Sequence, residues 1–120
     1  MISEKKFDLE DRLINYAVLL LKMTQKLPDS EILKPIKSQI VRSGTSPASN
    51  YGEAQCAESR SDFIHKLKIA LKELRETRVW LLIIQRFDQF ENSEQLIPLL
   101  RENDELISIL FRCIDTAKKI

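Results

Sequence analysis

Turn-forming residues are scarce in this chain, with only two glycines and four prolines among 120 residues. An all-β fold needs many Gly- or Pro-bearing turns, so that class is disfavoured and a few long helices are expected. Cysteine is equally sparse. Cys56 and Cys113 stand far apart and form neither a C-x-x-C pair nor a zinc-spaced set. Two cysteines make no disulfide framework, and reduced thiols in a cytoplasm are the expectation. Long apolar runs are missing too. The run Val79–Ile84, VWLLII, stops at six residues, far short of the ~18–20 needed to span a bilayer. The opening MISEKKFDLEDR turns acidic and lacks the apolar core of a signal peptide. A soluble cytoplasmic protein with no membrane partner follows as an expectation.

What is present is charge and helical periodicity. A chain of this length fits one domain, expected to span 1–120, with one modest core. The formal net charge is +1, but the balance is uneven: residues 34–86 hold ten basic and five acidic side chains, while 87–120 hold four and seven. A basic middle flanked by mildly acidic ends favours polyanions, with a strength that depends on salt.

Four helices are predicted. The first covers about 7–26, from Phe7 to Lys26, with Leu9, Leu13, Ala17, Leu20, Leu21 and Thr24 as its core stripe and Ile14 and Val18 on a neighbouring strip. Leu27-Pro28 ends it, because Pro pushes the preceding residue out of the α region. The second, about 31–55, is capped by Ser30 and is expected to kink near Ser46-Pro47, where the bond from position 47 to the Ser43 carbonyl is lost. The third, 60–87, opens at Ser59 in an S-x-x-D capping box with Asp62. Its core face is Phe63, Leu67, Ala70, Leu74, Thr77, Leu81 and Ile84. The fourth, about 93–117, starts from an Asn92 or Ser93 cap and carries Leu99, Leu106, Leu110, Ile114 and Ala117. Short links between four such helices imply an all-α, antiparallel up-and-down four-helix bundle.

Three groups of residues are candidates for more than packing. Lys68, Lys72, Arg75 and Arg86 lie nearly opposite the core face of the third helix, with Lys37 or Lys66 as helpers. Such a stripe lies along a nucleic-acid backbone or is simply a solvated face; no exposed aromatic is clearly interleaved for base stacking. Arg42, Asn50 and Glu53, with Glu73 and Glu76 on the third helix, form either a ligand or RNA site or a structural polar network that crosses helices. The network is the favoured alternative, with Arg42 paired to Glu73 or Glu76. Ile69, Trp80 and Phe87 form a second apolar strip that is either more core or an oligomer interface, since VWLLII makes the helix apolar nearly all round.

Catalytic chemistry is not expected. Asp62-x-x-His65, with Glu58 one turn earlier, supplies only part of a di-iron set, which needs two Glu-x-x-His motifs and two further carboxylates. A capping aspartate beside an exposed histidine is the simpler account. Ser46, Ser49 and His65 form no triad. No cofactor and no metal are implied.

The block Gln39, Arg42, Ser46, Asn50, Glu53, then Asp62-Phe63, Ile69-Ala70 and Glu76 resembles the four-helix-bundle proteins encoded in ribosomal-RNA intervening sequences, also labelled S23 ribosomal protein. The likeness covers about residues 7–119. It implies a small cytoplasmic bacterial bundle assembled as a homopentamer, RNA or DNA as a partner, and, through the accessory variability protein of diversity-generating retroelements, a reverse transcriptase. Ser46-Pro47-Ala48-Ser49-Asn50 stands where many members have Ser-Ile-Pro-Ala-Asn, and Lys72-Glu73 replaces a common Gly-Ser pair, which suggests a different branch. The expected function is thus a non-catalytic homo-oligomeric scaffold or accessory protein associated with nucleic acid. The alternative is a protein-interaction module that binds none.

Overall fold

The structure is a computed structural model and describes residues 8–87 and 94–120. These form four helices: α1 (Leu9–Gln25), α2 (Leu33–Gln55), α3 (Arg60–Phe87) and α4 (Leu96–Lys118). Among the described residues there is no strand. Helices of 17 to 28 residues span roughly 25–42 Å at 1.5 Å per residue, which accounts for a molecule 47 × 30 × 19 Å across.

The caps show why the helices start where they do. Asp8 Oδ1 accepts the Asp11 amide at 3.1 Å, and Glu10 and Asp11 follow in the positive first turn of α1. The Ser30 hydroxyl accepts the Leu33 amide at 3.0 Å, and Ser59 accepts the Asp62 amide at 3.0 Å. The proposed Asn92 or Ser93 cap lies outside the described residues, as does Phe7. Pro98 falls near the start of α4, where its missing N–H has no intrahelical partner to lose.

Pro47 sits inside α2, and the helix continues through it as one element to Gln55. Polar side chains there return to nearby carbonyls: Thr45 Oγ1 donates to Val41 O at 2.8 Å, Ser49 to Ser46 O at 3.0 Å, and Asn50 Nδ2 to Ser46 O at 3.1 Å. The Gly- and Ser-rich composition that resembles a loop is therefore compatible with helix. Its small side chains serve close packing, because an added Cβ on Gly44 would lie 2.5 Å from Leu20 Cδ1 of α1.

Contacts across the seams give the direction of each helix: Gly44 faces Leu20 and Gly52 faces Glu10, so α1 and α2 are antiparallel. Arg42 reaches Glu73 while Glu53 reaches Lys66, so α2 and α3 are antiparallel. Arg78 meets Asp104 and Arg60 meets the Ile120 carbonyl, so α3 and α4 are antiparallel as well. Each helix packs on its sequence neighbours, and α4 closes back on α1, leaving α1 and α3 at diagonal corners.

The core runs down the centre through Leu13, Leu20, Ile40, Leu67, Leu74 and Leu106, all essentially inaccessible. Burying each such side chain contributes roughly 1.5–3 kcal/mol. The expected faces of α3 and α4 are the observed ones, apart from Phe63, which is half-buried. On α1 three positions differ. Leu21 is 40% exposed, while Tyr16 and Met23 are buried. The α1 core axis runs between Leu13 and Leu20, which rotates Leu21 outward to join Ile14 and Val18, and brings Tyr16 and Met23 in.

Candidate interaction surface

At the α2–α3 seam, Arg42 projects from α2 between two carboxylates one turn apart on α3. Its Nη1 lies 2.9 Å from Glu73 Oε1, and its Nη2 bonds Glu76 Oε2. Trp80, one further turn along, donates its indole N–H to the same Glu76 oxygen at 3.1 Å. Glu73 is buried, so the guanidinium keeps that charge paired where an unpaired one would be costly. Just beneath, the Thr77 hydroxyl lies 2.8 Å from both Ser43 Oγ and the Glu73 carbonyl. Donating to the carbonyl and accepting from Ser43 satisfies both hydroxyls.

Of the five polar residues grouped from sequence, this brings together Arg42, Glu73 and Glu76. Asn50 instead bonds within α2 to Ser46, and Glu53 pairs with Lys66 at 2.7 Å. Helical spacing places Arg42 and Glu53 on one face of α2, but three turns separate them and each finds its own partner on α3.

The network carries a pH signature. The Arg42 guanidinium, then the Trp80 indole N–H, hold the Glu76 carboxyl below its ordinary value. A depressed carboxyl contributes stability above the unfolded value, about 4.3, and loses it as pH falls through its lower folded value. Trp80 is the single tryptophan, so its fluorescence should report the loss with a midpoint below the usual glutamate range. Arg42→Ala should move that midpoint upward; an unchanged midpoint would show that the pair does not set it.

The outward face of α3 is the other candidate surface. Lys68, Lys72, Arg75 and Arg86 are all exposed, and none makes a salt bridge among the described residues. The proposed helpers are engaged elsewhere: Lys66 with Glu53, and Lys37 with the Leu27 carbonyl at 3.0 Å and Asp29 at 3.3 Å. The stripe is also interrupted. Val79, 55% exposed, and Ile83, 40% exposed, stand between Arg75 and Arg86 on the same face. The face is basic along its first half and largely apolar along its second.

The apolar strip expected at Ile69, Trp80 and Phe87 divides accordingly. Trp80 is half-buried and packs on the core, and Ile69 is half-buried. Phe87 is 56% exposed. Val79 and Ile83 were not singled out from sequence, although their position one and two turns beyond Arg75 was the available signal. On the other side of the bundle, Val18, Leu21 and Val41 line a shallow groove between α1 and α2, flanked by Lys22 and Lys37.

His65 is exposed, and Asp62 is half-buried at the start of α3. Among the described residues, no group of three His, Cys, Asp or Glu comes together as a metal-ligand set. Among them, too, no helix is long and apolar enough to cross a membrane.

Comparison with known proteins agrees with this architecture. Residues 5–112 match the family described as 23S rRNA-intervening sequence protein. No curated protein matches the chain. A solved structure from Bacteroides thetaiotaomicron VPI-5482, a protein with unknown function from the S23 ribosomal protein family, superposes with a TM-score of 0.81 at 34% sequence identity. That likeness covers 89% of this chain and 98% of the other. On the length of the match and the shared bundle, the chain belongs to the 23S rRNA-intervening sequence protein family.

Proposed function

We propose that this protein is a non-catalytic helical scaffold that works as a homo-oligomer in the cytoplasm. The observation that carries the proposal is the pair of apolar rows left outside the bundle at diagonal corners: Ile14, Val18 and Leu21 on α1, and Val79, Ile83 and Phe87 on α3. Rows of this kind are a signature of protein contact surfaces. The family resemblance supports a copy number of five. Light scattering at micromolar concentration should give a mass near five times the 14.0 kDa of one chain; a monomer would overturn the proposal.

Association with RNA or DNA is the second reading, favoured by the unpaired Lys68, Lys72, Arg75 and Arg86. A fivefold assembly would repeat that charge and strengthen its field. In this case affinity should fall with salt, with a log–log slope of roughly 0.9 per phosphate neutralised on a duplex, and Lys68/Lys72/Arg75→Ala should weaken binding on all sequences alike. Binding that ignores both would leave a pure protein-interaction module. A reverse transcriptase is the protein partner suggested by the family's retroelement relative, and co-purification with one tests it.

A further inference from the structure

The outward faces of α1 and α3 look away from one another across the bundle, and both are graded in the same sense. α1 begins with exposed Asp8, Glu10 and Asp11, then presents Ile14, Val18 and Leu21. α3 presents exposed Lys68, Lys72 and Arg75, then Val79, Ile83 and Phe87. We propose that α1 of one copy seats on α3 of the next, running parallel, with acidic end on basic end and apolar row on apolar row. This rests on the self-association proposed above and identifies its two surfaces.

Three features support the register. The step from charge to apolar centre is roughly 12 Å on α1 and roughly 17 Å on α3 at 1.5 Å per residue, a match to about one turn. In an up-down-up-down bundle α1 and α3 run the same way, and rotation about an axis along the bundle preserves that direction from copy to copy. A ring therefore makes this contact parallel without further adjustment. An antiparallel contact with the apolar rows superposed would instead carry Asp8, Glu10 and Asp11 away from Lys68, Lys72 and Arg75 and bring Lys22 towards Arg75. The parallel register leaves one unfavourable approach, Lys22 near Arg86, at an end where both side chains reach solvent. Because the two surfaces differ, the contact is heterologous and closes a ring or extends a filament; it makes no two-fold dimer.

Charge reversal tests the pairing. Glu10→Lys/Asp11→Lys makes both faces basic, and Lys68→Glu/Arg75→Glu makes both acidic. Each variant should fall to the monomer mass under conditions where the parent chain assembles, with circular dichroism confirming an intact bundle. The fourfold variant carrying both reversals restores opposite charges and should regain the parent mass, a recovery that misfolding cannot imitate. Single-face variants that keep the parent mass would overturn this pairing while leaving self-association standing. A monomeric parent chain would overturn both. Loss of RNA binding at unchanged mass in Lys68→Glu/Arg75→Glu would assign the basic face to nucleic acid and likewise overturn the pairing.

Discussion

Replacing Gly44 by valine should destabilise the bundle by roughly 3 kcal/mol, the upper part of the usual range for overpacking a core. Gly44 is buried where α2 crosses α1, and a Cβ there would lie 2.5 and 2.7 Å from the two methyls of Leu20 and 3.1 Å from its Cγ. Leu20 is itself fully buried, so its methyls have no open space into which to turn. Alanine at this site should cost less, because the clash is opposed by a gain of about 1 kcal/mol in helix propensity over glycine. The check is a double-mutant cycle. Leu20→Ala alone leaves a cavity worth about 2–5 kcal/mol, yet in the Gly44→Val background it vacates the space the valine needs. The two losses should therefore sum to more than the double variant shows. Simple additivity in chemical denaturation would mean that Gly44 is not held by this contact.

The second large effect is expected at Asn103. This residue is fully buried on α4 and binds two other helices: its Nδ2 donates to the Tyr16 hydroxyl of α1 at 2.6 Å and to the Leu74 carbonyl of α3 at 3.2 Å. Tyr16 is buried as well, and that burial pushes its phenol pKa up despite the opposing hydrogen bond from Asn103. Asn103→Ala removes both bonds and leaves a void, so a loss of about 2–4 kcal/mol is expected. The polar arrangement is also incomplete, because Asn103 Oδ1 has no partner within the described residues. Replacing both polar members by apolar groups of similar size should accordingly be far milder. Asn103→Leu/Tyr16→Phe should stay within about 1 kcal/mol of the parent or exceed it, since no buried polar group is then stranded. A double variant as unstable as Asn103→Ala would show that shape, not hydrogen bonding, governs the site.

These two positions also show where sequence reading stops. Periodicity identified most core positions on α3 and α4, because a stripe of Leu, Ile and Ala at helical spacing admits only one inward direction. It was less decisive on α1, where Leu19, Leu20 and Leu21 are adjacent and only the neighbouring helices choose among them. Periodicity put both Leu20 and Leu21 on the core stripe, and packing buries Leu20 but leaves Leu21 exposed. Asn103 gave no signal of burial, since an isolated Asn in a charged stretch (Arg101 to Glu105) is typical of a surface. Arg42 was readable as a cross-helix partner for Glu73 or Glu76 and bonds both. Asn50 and Glu53 were grouped with it because spacing on one helix says which side chains share a face, not which partners the facing helix offers.

The residues alone determined four helices, two of their caps at Ser30 and Ser59, and the bundle, which depend on local chemistry and on helical periodicity, while the block from Gln39 to Glu76 carried the resemblance to the family. The tertiary structure decided why glycine stands at position 44 of α2, since close contact with Leu20 is a property of two helices together. It likewise decided that the basic stripe of α3 runs into Val79 and Ile83, and that α1 carries a matching acidic and apolar face at the opposite corner. Only packing selects which side of a nearly all-round apolar helix turns inward, and therefore which side is left to meet another molecule.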